Sequence, residues 1–229
     1  MEPLLNRLDK TTYEKLMMNS FRKEYMKNTI VFSEGTPAEA LYFIKSGTVR
    51  IYKGMGADKE ITIFTRKEND CFGEIGIFSG TKYSNTAIVT QDAILYRITK
   101  AKAEELIKQD GSLGLHFTRW VAESLEASKA KIRDYIAFGS EAAIASVFIR
   151  YSNMYGIVTK KGIRITEPIR VRDISKHIGI SRETVSRVVN KWKEQGLIIN
   201  DNKFYLIKDI HYFRKLLLCE NCGVENCVL

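Results

Sequence analysis

The texture of this chain changes at Thr99, and the change bounds what it can fold into. From Phe21 to Arg97, short runs rich in Val, Ile, Tyr, Phe and Thr are split by glycines or polar turns. The runs cover 29–32, 41–44, 48–52, 60–64 and 87–98, punctuated by Gly35, Gly47, Gly54, Gly56, Gly73, Gly76 and Gly80. β-Branched and aromatic residues suit a pleated, half-buried surface. Turn signals at such regular spacing predict a compact antiparallel sandwich or barrel. From Thr99 onward the apolar residues step by three and four, the spacing of helices. A short helix also precedes the strands, over 9–19, capped by Asp9 with Leu16 and Met17 inward. Strands first and helices after give an α+β chain.

The helical text begins with a short helix over 100–109 and a long one over 112–137. Along the long helix, Leu113, Phe117, Val121, Leu125, Ser128, Ile132 and Tyr135 form one stripe. At ~1.5 Å per residue that stripe exceeds about 20 Å. It either packs on its own domain or forms a seam between two copies of the chain. The seam is preferred, because a small β region offers little local surface to cover, and Leu113, Phe117, Val121, Leu125 and Ile132 are its contact candidates. Gly139 breaks the helix, and Ser140 is expected to cap the next, over 141–155, which Gly156 ends. Residues 157–158 and 163–165 flank Lys161-Gly162 as a hairpin. The chain therefore divides into a β-rich domain (1–111), a dimerisation helix (112–138), a second domain (139–208) and a C-terminal helix with its tail (209–229).

The second domain carries the clearest motif. A helix over 171–178 closes at Gly179, and Ser181 caps a further helix over 182–195 that stops at Gly196. Helix, tight turn with glycine, then helix is the helix-turn-helix pattern. The runs 197–199 and 204–207, turning at Asp201-Asn202, form a wing. Val185, Val188, Val189 and Trp192 make the inward face of the second helix. Arg182, Glu183, Ser186 and Arg187 face outward at its start, with the capping Ser181 beside them. Arg pairs with guanine O6 and N7, Glu accepts from cytosine N4, and the first turn of such a helix is the part that reaches base edges. The chain carries a net charge of +9, and Arg164, Arg170, Arg172, Lys176, Arg182, Arg187, Lys191 and Lys193 crowd one stretch of it. Clustered cations favour phosphate contact through counterion release, so double-stranded DNA is the expected partner.

Three of the four cysteines, Cys219, Cys222 and Cys227, lie in the last eleven residues. Thiolates gathered on a short tail can close around one soft metal centre. Zinc, a thiol-only redox switch and a tail without metal are the rivals. His177 and His211, the nearest further zinc ligands, are not spaced convincingly. The chain has no leader-like N-terminus and no run of about 18 apolar residues, which predicts a cytoplasmic protein with no membrane segment. No Ser-His-Asp set, P-loop or dinucleotide fingerprint is present, so an enzyme is not expected.

Phe72-Gly-Glu-Ile-Gly-Ile-Phe78, the glycine-spaced strands, the long helix and Ile180-Ser-Arg-Glu-Thr-Val-Ser-Arg187 together resemble the CRP/FNR family of bacterial transcription regulators. The resemblance spans nearly the whole chain. It implies a cyclic-nucleotide-binding-like β-roll, a dimerising helix and a C-terminal winged helix-turn-helix. It further implies a homodimer acting through RNA polymerase. Arg182, Glu183 and Arg187 match the set that reads TGTGA-type half-sites, which implies a TGTGA-N6-TCACA-like palindrome. Ser186 matches a serine used in the FNR branch, and Arg172 a phosphate-contacting position. The cyclic-AMP branch places an Arg-Ser pair after its Gly-Glu-x-Gly loop, whereas this chain has Tyr83-Ser84. Glu74 is therefore read as a fold element, with cyclic nucleotide as the alternative ligand. The tail spacing C-x2-C-x4-C is similar to the Bacillus-type branch, whose cluster ligands are C-terminal. That likeness implies an oxygen-sensing [4Fe-4S] cluster, a fourth ligand from an aspartate near the end of the dimer helix, and activation of anaerobic metabolism. Asp134 is the candidate, with Glu141 or water as alternatives.

Overall fold

The computed structural model describes residues 2–56, 59–201, 203–221 and 227–228. Their contacts gather into two compact units, which divide between Ser124 and Leu125, with 59–61 counted in the second.

The first unit opens with a 3-10 turn (Leu4–Arg7) and α1 (Lys10–Met18), capped as expected by the Asp9 carboxylate, which accepts from the Thr12 amide at 3.0 Å. Then come β1 (Phe21–Tyr25), β2 (Ile30–Phe32), β3 (Ala40–Gly54), β4 (Glu60–Arg66), β5 (Cys71–Phe72), α2 (Glu74–Ser79), β6 (Thr86–Thr99), α3 (Lys100–Gln109) and α4 (Gly111–Ile136). The strands form one antiparallel sheet in the order β1-β6-β3-β4, with β2 also on β6 and β5 on β3. This is the predicted β-roll, with one correction. The runs 41–44 and 48–52 are one strand, not two. Gly47 lies between them at φ +92°, where a Cβ would sit 2.4 Å from the Asp92 carbonyl oxygen. The glycine lets β3 pass close to β6 through an irregular register without ending the strand. The two-residue β5 and the short α2 were not anticipated, being too short to show a period, and β1, charged at three of its five positions, was not among the predicted runs either.

Leu41, Phe43, Ile44, Leu95, Ile98 and Trp120 lie at the centre of this unit's core. Leu113 and Phe117 of α4 are buried in the same core, so the open part of the apolar stripe begins further along. There Val121, Leu125 and Ile132 stand 40%, 54% and 59% exposed.

The second unit takes the end of α4 and adds α5 (Gly139–Tyr155), β7 (Gly156–Thr159), β8 (Gly162–Ile165), α6 (Val171–Ile178), α7 (Arg182–Glu194), β9 (Ile198–Asp201), β10 (Phe204–Ile207), α8 (Ile210–Leu216) and a 3-10 turn (Cys219–Asn221). Both predicted hairpins form. They are joined through β8 and β10 into one antiparallel sheet, β7-β8-β10-β9. Every residue of α5 from Ala142 to Ser152 is buried, which makes it the central helix of the unit. The expected Ser140 cap is overturned: α5 starts at Gly139, Phe138 holds the cap position, and no side chain caps it. The entry is set instead by Phe138, half-buried against the core with the Arg133 guanidinium 5.6 Å from its ring centre.

Candidate DNA-reading surface and cysteine tail

The turn between α6 and α7 is built from local bonds. Gly179 adopts φ +70°, the left-handed conformation a tight helix end requires, and its amide donates to the Ser175 carbonyl at 2.8 Å. The Ser175 hydroxyl donates to the Ile180 carbonyl at 2.7 Å, and the Ser181 hydroxyl accepts from the Thr184 amide at 3.2 Å. Val185, Val188, Val189 and Trp192 are buried as predicted. Arg182, Glu183 and Arg187 are exposed along the first turns, Ser186 is half-buried, and Arg172 is exposed at the start of α6. The Glu183 carboxyl is held below its ordinary value, first by its own backbone amide and then by the Ser181 hydroxyl. It is thus a ready hydrogen-bond acceptor beside a guanidinium donor, the pairing that base edges in a major groove demand.

The reading helix is anchored from behind. The Trp192 ring meets Phe213 of α8 edge-on at 4.7 Å and Phe148 of α5 at 5.7 Å. Its indole N–H donates to Glu141 at 2.9 Å. Lys191 Nζ and the Tyr212 hydroxyl donate to the same carboxylate at 2.9 and 3.1 Å. Burial pushes the Glu141 carboxyl up, but the bonds from Lys191, Trp192 and Tyr212 outweigh it and hold it low. Glu141, the alternative oxygen ligand for the tail, therefore spends its carboxylate on α7 and α8. Sequence reasoning missed this role, which needs the tertiary meeting of three helices.

Asp134, near the end of α4, is buried at the centre of a second polar network. Its Oδ2 accepts from Ser146 Oγ and Arg150 Nη2, both at 2.8 Å. Its Oδ1 accepts from Arg133 Nη2 at 2.9 Å and Nε at 3.2 Å. Both arginines also reach the tail: Arg133 Nη2 donates to the Leu217 carbonyl at 3.1 Å and Arg150 Nη1 to the Val228 carbonyl at 3.0 Å. These carbonyls flank Cys219 and Cys227. The Asn153 side-chain amide adds a bond to the Cys227 carbonyl at 2.8 Å. Cys219 and Cys227 are half-buried against this unit's core, while Cys222 lies outside the described residues. Among the described residues no three His, Cys, Asp or Glu side chains converge as a metal site. The Tyr135 hydroxyl is held well above its ordinary value, chiefly by burial, with Asp134 and Cys227 both contributing charge. Through the Arg150 guanidinium, Asp134 and the Val228 end of the tail share one neighbourhood. Of the zinc candidates, His177 is buried with Nε2 3.2 Å from the Tyr151 hydroxyl, and His211 is exposed. Arg150 was missed; an arginine ending the run of small and apolar residues 142–149 was the available signal.

In the first unit a small cleft is lined by Phe32, Arg66, Phe72, Glu74, Tyr83 and Ser84 among others. Tyr83 stacks on Phe32 at 3.7 Å, and its hydroxyl donates to the Ala40 carbonyl at 2.7 Å. Arg66 lines the cleft, but its guanidinium bonds Asp70 and Ser124 and lies against the Phe64 and Trp120 rings. Burial raises the Glu74 carboxyl above its ordinary value.

A β-roll followed by a winged helix-turn-helix with an exposed Arg-Glu pair defines a class, the DNA-binding transcription regulator. A cyclic nucleotide-binding domain matches residues 22–110 and a Crp-like helix-turn-helix domain residues 143–216. The "Anaerobic regulatory protein" of Bacillus subtilis (strain 168) is 33% identical over 217 residues, covering 94% of this chain and 91% of that one. A CRP-like cAMP-activated global transcriptional regulator of Mycobacterium tuberculosis is 23% identical over 81% of this chain and 83% of its own. A CooA variant from Carboxydothermus hydrogenoformans shares the fold at a TM-score of 0.80 with 19% identity, covering 94% of this chain and 96% of that one. The chain belongs to the CRP/FNR family of transcription regulators. Among the described residues no helix is long and apolar enough to cross a membrane.

Proposed function

We propose that the protein is an oxygen-responsive activator of anaerobic metabolism that binds DNA as a dimer when its tail holds a [4Fe-4S] cluster. The observation that carries this reading is the pair of arginines joining one buried carboxylate to both flanks of the cysteine tail. Three thiols and a carboxylate suit an iron–sulfur centre in type, and Asp134 lies in the neighbourhood of the tail. Cys219, Cys222, Cys227 and Asp134 would hold the cluster, which would supply a reactivity toward dioxygen. The similarity to a protein named an anaerobic regulator supports the same reading.

Val121, Leu125 and Ile132 would form the dimer seam, placing two copies of α7 on a TGTGA-N6-TCACA-like palindrome about one DNA turn apart. Arg182, Glu183, Ser186 and Arg187 would read bases, Ser181 and Arg172 would meet phosphate, and RNA polymerase would be the downstream partner. Cyclic nucleotide is the weaker reading: the matching domain favours it, but Arg66, the cation among the cleft residues, is committed to Asp70.

Anaerobic iron and sulfide analysis, paired with DNA binding before and after air, tests the proposal. Brown protein that bleaches in air and then releases its operator is expected. Never-aerated protein that lacks iron yet binds at full strength overturns it. Arg182→Ala or Glu183→Ala should cost ~1–3 kcal/mol per half-site and relax the preference at the contacted base pair. Equal weakening on every sequence would mean a phosphate contact instead.

A further inference from the structure

The two oxygens of Asp134 are held in different ways. Oδ2 is fixed from α5: Ser146 and Arg150 are one helical turn apart, share a face, and both donate to it at 2.8 Å. The Arg150 side chain is 0% exposed. Its Nε donates to the Ser146 hydroxyl, Nη2 to Asp134 and Nη1 to the Val228 carbonyl, so one rigid fork sets the carboxylate and the far end of the tail together. Oδ1 is held by Arg133, the neighbouring residue of the same helix, whose side chain is 32% exposed. A carboxylate has about four lone-pair directions, and among the described residues those of Oδ1 are met by Arg133 alone.

We infer that Arg150 is the positioning residue of the tail site and Arg133 its exchangeable partner. Arg150 and Ser146 keep Oδ2 and the Val228 end fixed, which leaves Oδ1 as the oxygen that would be open to a metal were Arg133 displaced. Groups that orient a metal ligand typically alter metal affinity by about 10–100-fold when removed. A cation sitting on the ligand atom has the opposite sign, because it competes. The inference rests on the proposed iron site for the identity of the metal. The fork between Asp134 and the tail stands without it.

The test uses the full chain. Arg150→Lys keeps a cation but cannot span Asp134, Ser146 and Val228 at once. Anaerobic iron and sulfide retention against a chelator should fall about 10–100-fold. In the iron-free protein, amide exchange over 219–229 should quicken by about tenfold or more, since a charge-assisted bond to the tail is lost. Ser146→Ala removes one Oδ2 donor and should move iron retention the same way by less. Arg133→Met should hold iron at least as well as wild type. A native circular dichroism spectrum and unfolding midpoint confirm that each variant is folded. The inference is overturned if Arg150→Lys protects its tail like wild type, or if Arg133→Met loses iron as Arg150→Lys does. If wild type binds no iron, the iron-site reading falls, while the exchange measurement still decides whether Arg150 holds the tail.

Discussion

Glu74 and Asp134 are both buried carboxylates, and their surroundings differ in kind. Glu74, in the first unit, has a cation nearby in Arg66, but the bonds of that guanidinium go to Asp70 and Ser124. Burial accordingly pushes Glu74 toward its neutral form. Asp134, in the second unit, is met by two guanidiniums and a hydroxyl. A buried ion pair is seldom the most stabilising way to fill a core, since desolvation consumes most of what the pairing returns. Its presence calls for an explanation in terms of what it positions, and the segment it positions is the one with the cysteines. In the β-roll the packing is of another kind: Phe32 stacks on Tyr83 at the cleft and Tyr42 on Phe72 beside it, contacts that stabilise a core.

The contrast can be broken by mutation, and the largest effect is expected at Asp134. Asp134→Ala leaves Arg150 buried without its carboxylate and should cost ~3–5 kcal/mol in urea unfolding of the second unit. The double change Asp134→Leu with Arg150→Leu should recover most of that loss while abolishing iron retention. A double variant that keeps its iron would remove the tail site from the explanation.

Tyr83→Phe comes next. It deprives the Ala40 amide and carbonyl of their shared hydroxyl and should destabilise the first unit by about 1–2 kcal/mol, with DNA binding unchanged. Burial raises the Tyr83 hydroxyl to about 12, so the native state keeps its proton after the unfolded chain has lost its own. The stability this provides is present below about pH 10 and drains away as pH climbs toward 12, a loss that alkaline unfolding should show in wild type and not in the variant.

Glu74→Gln should be mildly stabilising. The folded carboxyl titrates above its unfolded value, so wild type loses stability as pH rises through the folded value. Midpoints of the two proteins should coincide near about pH 4 and favour the variant near about pH 7. Wild type gaining the advantage at neutral pH would mean that Glu74 has a bound partner.

The smallest effect is expected at Leu218, which takes φ +49° where the chain leaves α8 for Cys219. Leu218→Gly relieves that left-handed strain and should stabilise by up to ~1 kcal/mol.

The second unit was readable where caps and spacing are local. Gly179, Ser181 and the Val185–Trp192 face set the reading helix before any long-range contact is needed, whereas of the Asp201-Asn202 turn signal Asp201 ends β9 and Asn202 lies outside the described residues. The β-roll was readable as a class but not strand by strand, because Gly47 marks a close approach to β6 and not a turn, and no local rule separates the two. Phe138 displaced the Ser140 cap through packing that only the folded core provides. At the tail, Asp134 came from family likeness, and its tie to the far end of the chain depends on Arg150, whose partners lie 16 and 78 residues away in sequence. Glu141 shows the same limit: its carboxylate serves α7 and α8 from 50 to 71 positions upstream.

The block made by Trp192, Phe213 and Phe148 leaves the reading head no slack. With the tail-bearing helix and the base-reading helix wedged on the same aromatic rings, a tug on the chain's end cannot loosen α7 alone. Such a tug would turn the head as one solid lever, so in the proposed dimer it would alter the distance from one α7 to the other and leave untouched the face each presents.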